Sequence, residues 1–391
     1  MKISFSLAFL LVGLPMLFIL REYVPIDKKL FTYSMIGLNL LLLINYKNLF
    51  SLSFYFNIPL SVKFIIFVII GLFSFISIYT YGFNDQSIYL LITLYIYMSF
   101  FTIRGEELKD FFKFLLIISS ITVYLAFFTT PLDAVYWADK GGRLYLGDTK
   151  NASVVSTLTA INLICIFFYL TKENKKRLHI IILLPLLFIS PYLYLLSQGK
   201  STIIGIILIL VYLFINSLSN IKRNVLKYLK YIFSLTIVLY FFYIYFQEFI
   251  ANFFNIIISA GLSLFGLKSN LIQRSAEIRN MNFEKTLDYM SLDNLIGYGI
   301  NTFRMDSPFL QTAIDFGNII AIMFFFVAII FPLFYILKIN YKTLERNSKL
   351  AILLYIFYFQ NFFFHGTPYE YSIWLPLLIF IKLISSNKYR L

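Results

Sequence analysis

FLQTAIDFGNIIAIMFFFVAIIFPLFYIL, residues 309–337, is the stretch that decides the class of fold. It exceeds the roughly 20 mostly apolar residues that a helix needs to cross a bilayer. Working outward, comparable runs lie at residues 3–20, 30–46, 62–81, 87–103, 111–130, 151–171, 178–196, 201–217, 228–247, 350–364 and 371–387. The chain therefore reads as an all-α integral membrane protein with about 12 transmembrane helices, and no fewer than about 10. Its 391 residues would suffice for two soluble domains. With 60% of them hydrophobic and no periodic polar faces, they are read instead as a single polytopic membrane domain, 1–391.

The net charge of +14 does not point to nucleic acid, because Lys and Arg gather in short clusters at the ends of apolar runs, where topology is set. Cys165 lies inside such a run and reads as a packing residue, so no disulfide or thiolate metal site is expected. The run after Lys2 resembles a signal peptide. No small-residue cleavage site precedes Arg21, however, and the run is read as an uncleaved first helix.

Placing the N-terminus in the cytoplasm puts Lys47, Lys63, Arg104, Lys109, Lys113, Lys172, Lys175, Lys176, Arg177, Lys222, Arg223, Lys227, Lys230, Lys338, Lys342, Arg346 and Lys349 on cytoplasmic connections. The short connections on the other side hold only Arg21, Lys28, Lys29 and Lys200. By the positive-inside rule both termini are cytoplasmic and two longer loops, residues 131–150 and 248–308, are external. The second loop is the largest polar segment of the chain and the place to look for chemistry, and short helices are expected in it, among them an amphipathic or re-entrant one at Phe253–Leu267.

Three constellations face outward in this arrangement. GGRLYLGDTKN, residues 141–151, has glycines for a tight course, Arg143 with a planar donor fork suited to phosphate, and Asn151 at the start of the next span; it also reads as a turn with a snorkelling arginine. LSQGKSTIIG, residues 196–205, sets Ser197, Gln198, Lys200, Ser201 and Thr202 near a helix start, a position that favours anions, with a plain polar turn as the alternative.

The third constellation runs from QRSAEIRN, residues 273–280, to NLIGYGINTFRMDSPFLQTAIDFGN, residues 294–318. Arg274 and Arg279 stand about 140° apart on an ideal helix, so either the segment breaks or one of them is structural. Glu277 is placed to pair with Arg274. Gly297 and Gly299 permit a close turn before Arg304 and Asp306, and Asp306, Ser307 and Pro308 form an ordinary helix start. His365, in a short outer connection, reads as an interfacial residue.

The layout, together with Arg143, Gly147 and Asn151, the turn Ser197–Gly199–Ser201, and the GYG, DSPFLQ and FG run, resembles the O-antigen polymerase and ligase superfamily, closest to Wzy-type polymerases. Two departures stand out. Members often have Ser-Arg-Gly where this chain has Ser197, Gln198, Gly199 and then Lys200. Ligases usually have His-Asn where this chain has Asp306 and Ser307, which favours polymerase.

The resemblance implies an enzyme of the bacterial inner membrane, acting on the periplasmic side in lipopolysaccharide or related polysaccharide biosynthesis. Its substrates would be undecaprenyl-diphosphate-linked oligosaccharides, with membrane lipid, a flippase and a chain-length regulator as partners. Arg143, Arg274 and Arg279 are the first choices for the diphosphate, Lys200 and Arg304 the next, with Gln198 and Asn151 lining the substrate. Glu277 or Asp306 would accept the proton. No metal ligand set stands out and no cofactor is expected. A ligase-type transferase and, from a different class, a lipid-linked oligosaccharide flippase remain alternatives. A flippase would more often carry its charges within spans and show related halves.

Overall fold

The computed structural model describes residues 2–21, 23, 27–44, 69, 71, 79, 85–130, 144, 152–171, 181–197, 200–218, 294–295, 297–298, 307–339, 341–364, 368 and 370–387, and every regular element among them is a helix. Helix α1 spans Lys2–Leu20, α2 Lys28–Leu43, α3 Asp85–Thr102 and α4 Phe111–Thr129. They are followed by α5 at Ala152–Leu170, α6 at Leu186–Ser197 and α7 at Lys200–Leu218. Further along the chain come α8 at Pro308–Phe316, α9 at Asn318–Lys338, α10 at Arg346–Tyr358, α11 at Asn361–Phe364 and α12 at Tyr371–Asn387.

By length and composition four of these helical stretches can cross a membrane: α1, Gly105–Thr129 ending in α4, the Ser153–Leu170 part of α5, and α9. Shorter apolar helices of 10–17 residues accompany them at Leu30–Leu43, Ile88–Phe100, Ile181–Ser197, Thr202–Asn216 and Tyr371–Ile384. Large apolar side chains such as Phe128, Phe188 and Leu337 stand exposed. Such exposure suits lipid, in which only helices and closed barrels satisfy every backbone group internally. The expected spans at 228–247 and, apart from Ile69, Gly71 and Tyr79, at 62–81 lie outside the described residues, as does Phe253–Leu267.

Two compact units make up the chain, Met1–Gly205 with Asn294–Leu391, and Ile206–Asp293. In the second, α7 continues to Leu218, and Asn216 Nδ2 donates to the Tyr212 carbonyl at 2.9 Å. In the first, α1 packs against α2, α4 and α12, α5 against α4 and α6, and α10 against α12. The first apolar run is thus a packed helix of the bundle, with Leu7 and Ala8 fully buried, and Cys165 is buried in α5.

Polar side chains tie these helices where lipid leaves few other partners. Asn162 of α5 donates through Nδ2 to Ser119 Oγ at 3.0 Å and Ser120 Oγ at 3.1 Å on α4, and accepts from Ser190 Oγ of α6 at 2.9 Å. All four residues are buried. Each bond of this kind contributes about 0.6 kcal/mol on average in a membrane bundle. A π-turn at Phe326–Ile330 loosens the backbone ladder of α9, and Tyr355 of α10 donates from its hydroxyl to the Ala328 carbonyl there at 2.6 Å.

The expected tenth span is divided. Residues 309–337 contain a break at Gly317, whose φ of 89° ends the short helix α8 and lets α9 start afresh at Asn318. The spanning helix is therefore Asn318–Lys338, and Pro308–Phe316 is a separate nine-residue helix with Gln311, Thr312 and Asp315 turned inward.

Three helix starts meet at one end of the first unit. Ser4 Oγ of α1 donates to the Glu107 carbonyl at 2.5 Å, and Asn347 Nδ2 of α10 donates to the carbonyls of Leu108 and Lys109 at 3.1 and 2.9 Å. The starts of α1, α4 and α10 therefore meet, and with them Arg104, Lys109 and Arg346.

Candidate functional site

One backbone contact joins two of the segments singled out in the sequence. The Leu144 N–H donates to the Leu196 carbonyl at 3.0 Å. Leu144 follows Arg143 and Leu196 precedes Ser197, so this bond joins the first two sequence constellations. Leu144 is itself buried, which fixes the connection between α4 and α5 against the end of α6.

The turn between α6 and α7 is built around Tyr194. Ser197 Oγ donates to the Tyr194 carbonyl at 2.6 Å and Thr202 Oγ1 to the Tyr194 hydroxyl at 3.1 Å. Ser197 and Thr202 are both fully buried. The expectation that these two hydroxyls face an anion is corrected: they pack inward and close the turn. Lys200 opens α7, while Gln198 lies outside the described residues. Close packing holds the first turns of α7, because a Cβ on Gly205 would meet the Phe357 carbonyl of α10 at 2.6 Å.

The third constellation is anchored on the helix break. Asn294 donates through Nδ2 to the Ala313 carbonyl at 3.0 Å, and its own carbonyl accepts from the Asn318 N–H at 3.0 Å. Asn294 Oδ1 accepts from the Gly297 N–H at 2.9 Å, and the Tyr298 N–H donates to the Ile314 carbonyl at 2.8 Å. The last carbonyls of a helix have no partner within it, so the folded-back segment Asn294–Tyr298 supplies donors where α8 ends. Gly297 has φ 87°, as the expected close turn requires, and a Cβ there would stand 2.5 Å from the Asp315 carbonyl oxygen. Ser307 caps α8 by accepting from the Leu310 N–H at 3.5 Å, with Pro308 in the first turn.

Arg143, Asn151, Arg274, Glu277, Arg279, Arg304, Asp306 and His365 lie outside the described residues. The structure fixes their described neighbours: Leu144 beside Arg143, Ala152 at the start of α5 beside Asn151, and Ser307 beside Asp306. No family model matches the chain, and no curated protein or solved structure is significantly similar to it.

Two further polar pairs stand near the same break and were missed in the sequence. Gln311 Nε2 donates to Asp315 Oδ2 at 2.9 Å within α8, and both residues are 2% exposed. An acid inside an apolar run was the available signal, since such a residue is a functional candidate by default. The second pair lies where α10 gives way to α11, which packs on α8. There Gln360 Nε2 donates to Asn361 Oδ1, while Gln360 Oε1 is buried with no hydrogen-bond partner. Among the described residues no three His, Cys, Asp or Glu side chains stand close enough to hold a metal ion.

Proposed function

We propose that this chain polymerises undecaprenyl-diphosphate-linked oligosaccharide repeat units, with about twelve spans, both termini cytoplasmic and the site on the periplasmic side of the inner membrane. The observation that carries the reading is the Leu144 to Leu196 bond, which brings the Arg143 loop and the Ser197–Ser201 turn together. It does so at the end of the bundle away from the basic connections. Both segments carry motifs of the family that the sequence resembles, and a contact between them supports their acting on one substrate.

In this reaction a hydroxyl at the non-reducing end of the incoming unit attacks the anomeric carbon of the growing chain. The new glycosidic C–O bond forms as the bond to undecaprenyl diphosphate breaks, and the bonding pair leaves with the diphosphate oxygen. The hydroxyl proton passes to a carboxylate, with Glu277, Asp306 and now Asp315 as candidates. Charge develops on the departing diphosphate, and fixed guanidinium groups stabilise it in bidentate geometry. Arg143, Arg274 and Arg279 take that role, with Lys200 and Arg304 supporting it and Gln198 and Asn151 contacting sugar.

Alanine at Arg143, Arg274 or Arg279 tests the assignment. Loss of one such contact lowers the rate about a hundredfold to a thousandfold, and lysine restores it only in part because the planar fork is gone. Wild-type chain-length distributions in all three alanine variants, at matched membrane levels, would refute the assignment.

A further inference from the structure

Helix α9 carries one residue more than a regular helix would hold, and the surplus sits in the turn Phe326–Ile330. There the Phe331 N–H donates to the Phe326 carbonyl, five residues back instead of four. Pro332 supplies the reason. It has no N–H to give the Ala328 carbonyl four residues earlier, and in a regular turn its ring would press on that carbonyl. Tyr355 of α10 donates its hydroxyl to the same carbonyl at 2.6 Å. The phenol is itself held, because it is buried and its ring lies 5.0 Å from that of Phe380 on α12.

Closing this turn to a regular one would rotate the residues before it by about 100° relative to those after it. The π-turn therefore decides which way the first half of α9 faces. Phe324 is fully buried there, its ring 5.9 Å from that of Phe362 on α11 and 5.3 Å from that of Trp374 on α12. Its neighbour Phe325 turns to α8, with its ring 5.4 Å from that of Phe309. α8 thus rides on a face of α9 that the π-turn sets. The start of α8 is Ser307, beside Asp306, and its end meets the folded-back segment Asn294–Tyr298. In the second half of α9, by contrast, Phe334 and Leu337 are exposed.

We propose that Tyr355 is a positioning residue for the reaction: its bond to Ala328 holds the π-turn open, and the π-turn sets where α8 and the residues at its two ends stand. The role in the reaction rests on the polymerase reading, whereas the hold on α8 does not. Tyr355 touches no substrate and acts through α9. A hydroxyl that only satisfied a carbonyl would respond differently to a change at Pro332, and that difference is measurable.

Spin labels on Leu310→Cys of α8, half-exposed, and Phe128→Cys of α4, exposed, read the position of α8 in the purified full-length chain, where Cys165 is buried. Tyr355→Phe keeps the ring and removes the donor. It should broaden the distance distribution or add a second peak. Well below the melting temperature it should also lower kcat about tenfold or more, with KM for lipid-linked units within about twofold of wild type. Adding Pro332→Ala returns an N–H to the Ala328 carbonyl and favours a regular turn. In that double variant the melting temperature should recover while the distance and kcat do not. A wild-type distance or a wild-type kcat in Tyr355→Phe would overturn the proposal. Full recovery of distance and rate in the double variant would also overturn it, leaving Tyr355 a carbonyl partner only. If Tyr355→Phe does not fold, Pro332→Ala alone decides: a changed distance supports the role, and an unchanged one refutes it. The distance needs no turnover. A wild-type chain that polymerises nothing, in which Tyr355→Phe still moves α8, would therefore count against the polymerase reading and for the hold on α8.

Discussion

The backbone N–H of Leu144 donates to the carbonyl of Leu196 at 3.0 Å, tying the connection before α5 to the last turn of α6. Proline at position 144 removes the donor and leaves the Leu196 carbonyl without it, a loss of about 1 kcal/mol. Methionine keeps the N–H and nearly the same volume. Leu144→Pro should therefore reduce polymer formation severalfold or more at matched protein level, whereas Leu144→Met should leave it near wild type. Chain-length profiles of the two variants, run side by side, check this.

Gly297 and Asp315 define the tightest point of the helix break. An alanine Cβ at 297 would stand 2.5 Å from the Asp315 carbonyl oxygen, on a backbone with φ 87° that costs an L-residue about 1–2 kcal/mol before any clash. Gly297→Ala should lower the melting temperature clearly. Gly37→Ala is the control, since nothing lies within 4 Å of its Cβ position in α2 and alanine favours helix by about 1 kcal/mol. Thermal denaturation of the purified variants should show opposite signs.

Asn162 links three helices through Ser119, Ser120 and Ser190. Asn162→Ala should destabilise the bundle by about 1–2 kcal/mol, and Ser190→Ala should add little once Asn162 is gone. A double-mutant cycle in the denaturation midpoint measures the coupling. Fully additive effects would show that the two residues do not interact.

Much of the helical layout was legible because lipid forces an apolar run to close its own hydrogen bonds. The runs at 111–130 and 151–171 became α4 and α5 almost to the residue. Ser307 and Pro308 marked the start of α8 by local chemistry alone. The break at Gly317 left a trace, because Gln311, Thr312, Asp315 and Asn318 lower the hydropathy around it, yet the apolar residues that follow carry the whole run past the spanning length. What holds it open comes from Asn294 and Tyr298, outside the run. Ser197 and Thr202 misled for a related reason: a hydroxyl beside a turn looks available until its partner, here Tyr194, is known. The joining of Leu144 to Leu196 is likewise a backbone contact that no side-chain pattern announces.

Cys165 is buried, so single cysteines introduced elsewhere can be labelled selectively. Thr149→Cys and Asn282→Cys should react with an impermeant thiol reagent in intact cells, and Asn174→Cys should react only after permeabilisation. Labelling with the reverse pattern would put the proposed site on the cytoplasmic side.

The most direct measurement is reconstitution of the purified chain in liposomes with synthetic undecaprenyl-diphosphate-linked repeat units on the side of the Leu144–Leu196 contact. The account predicts a ladder of glycan lengths, with one undecaprenyl diphosphate released for each unit added, and loss of the ladder in Arg274→Ala. Repeat units that stay single and keep their diphosphate while crossing the bilayer would contradict it and identify a transporter instead.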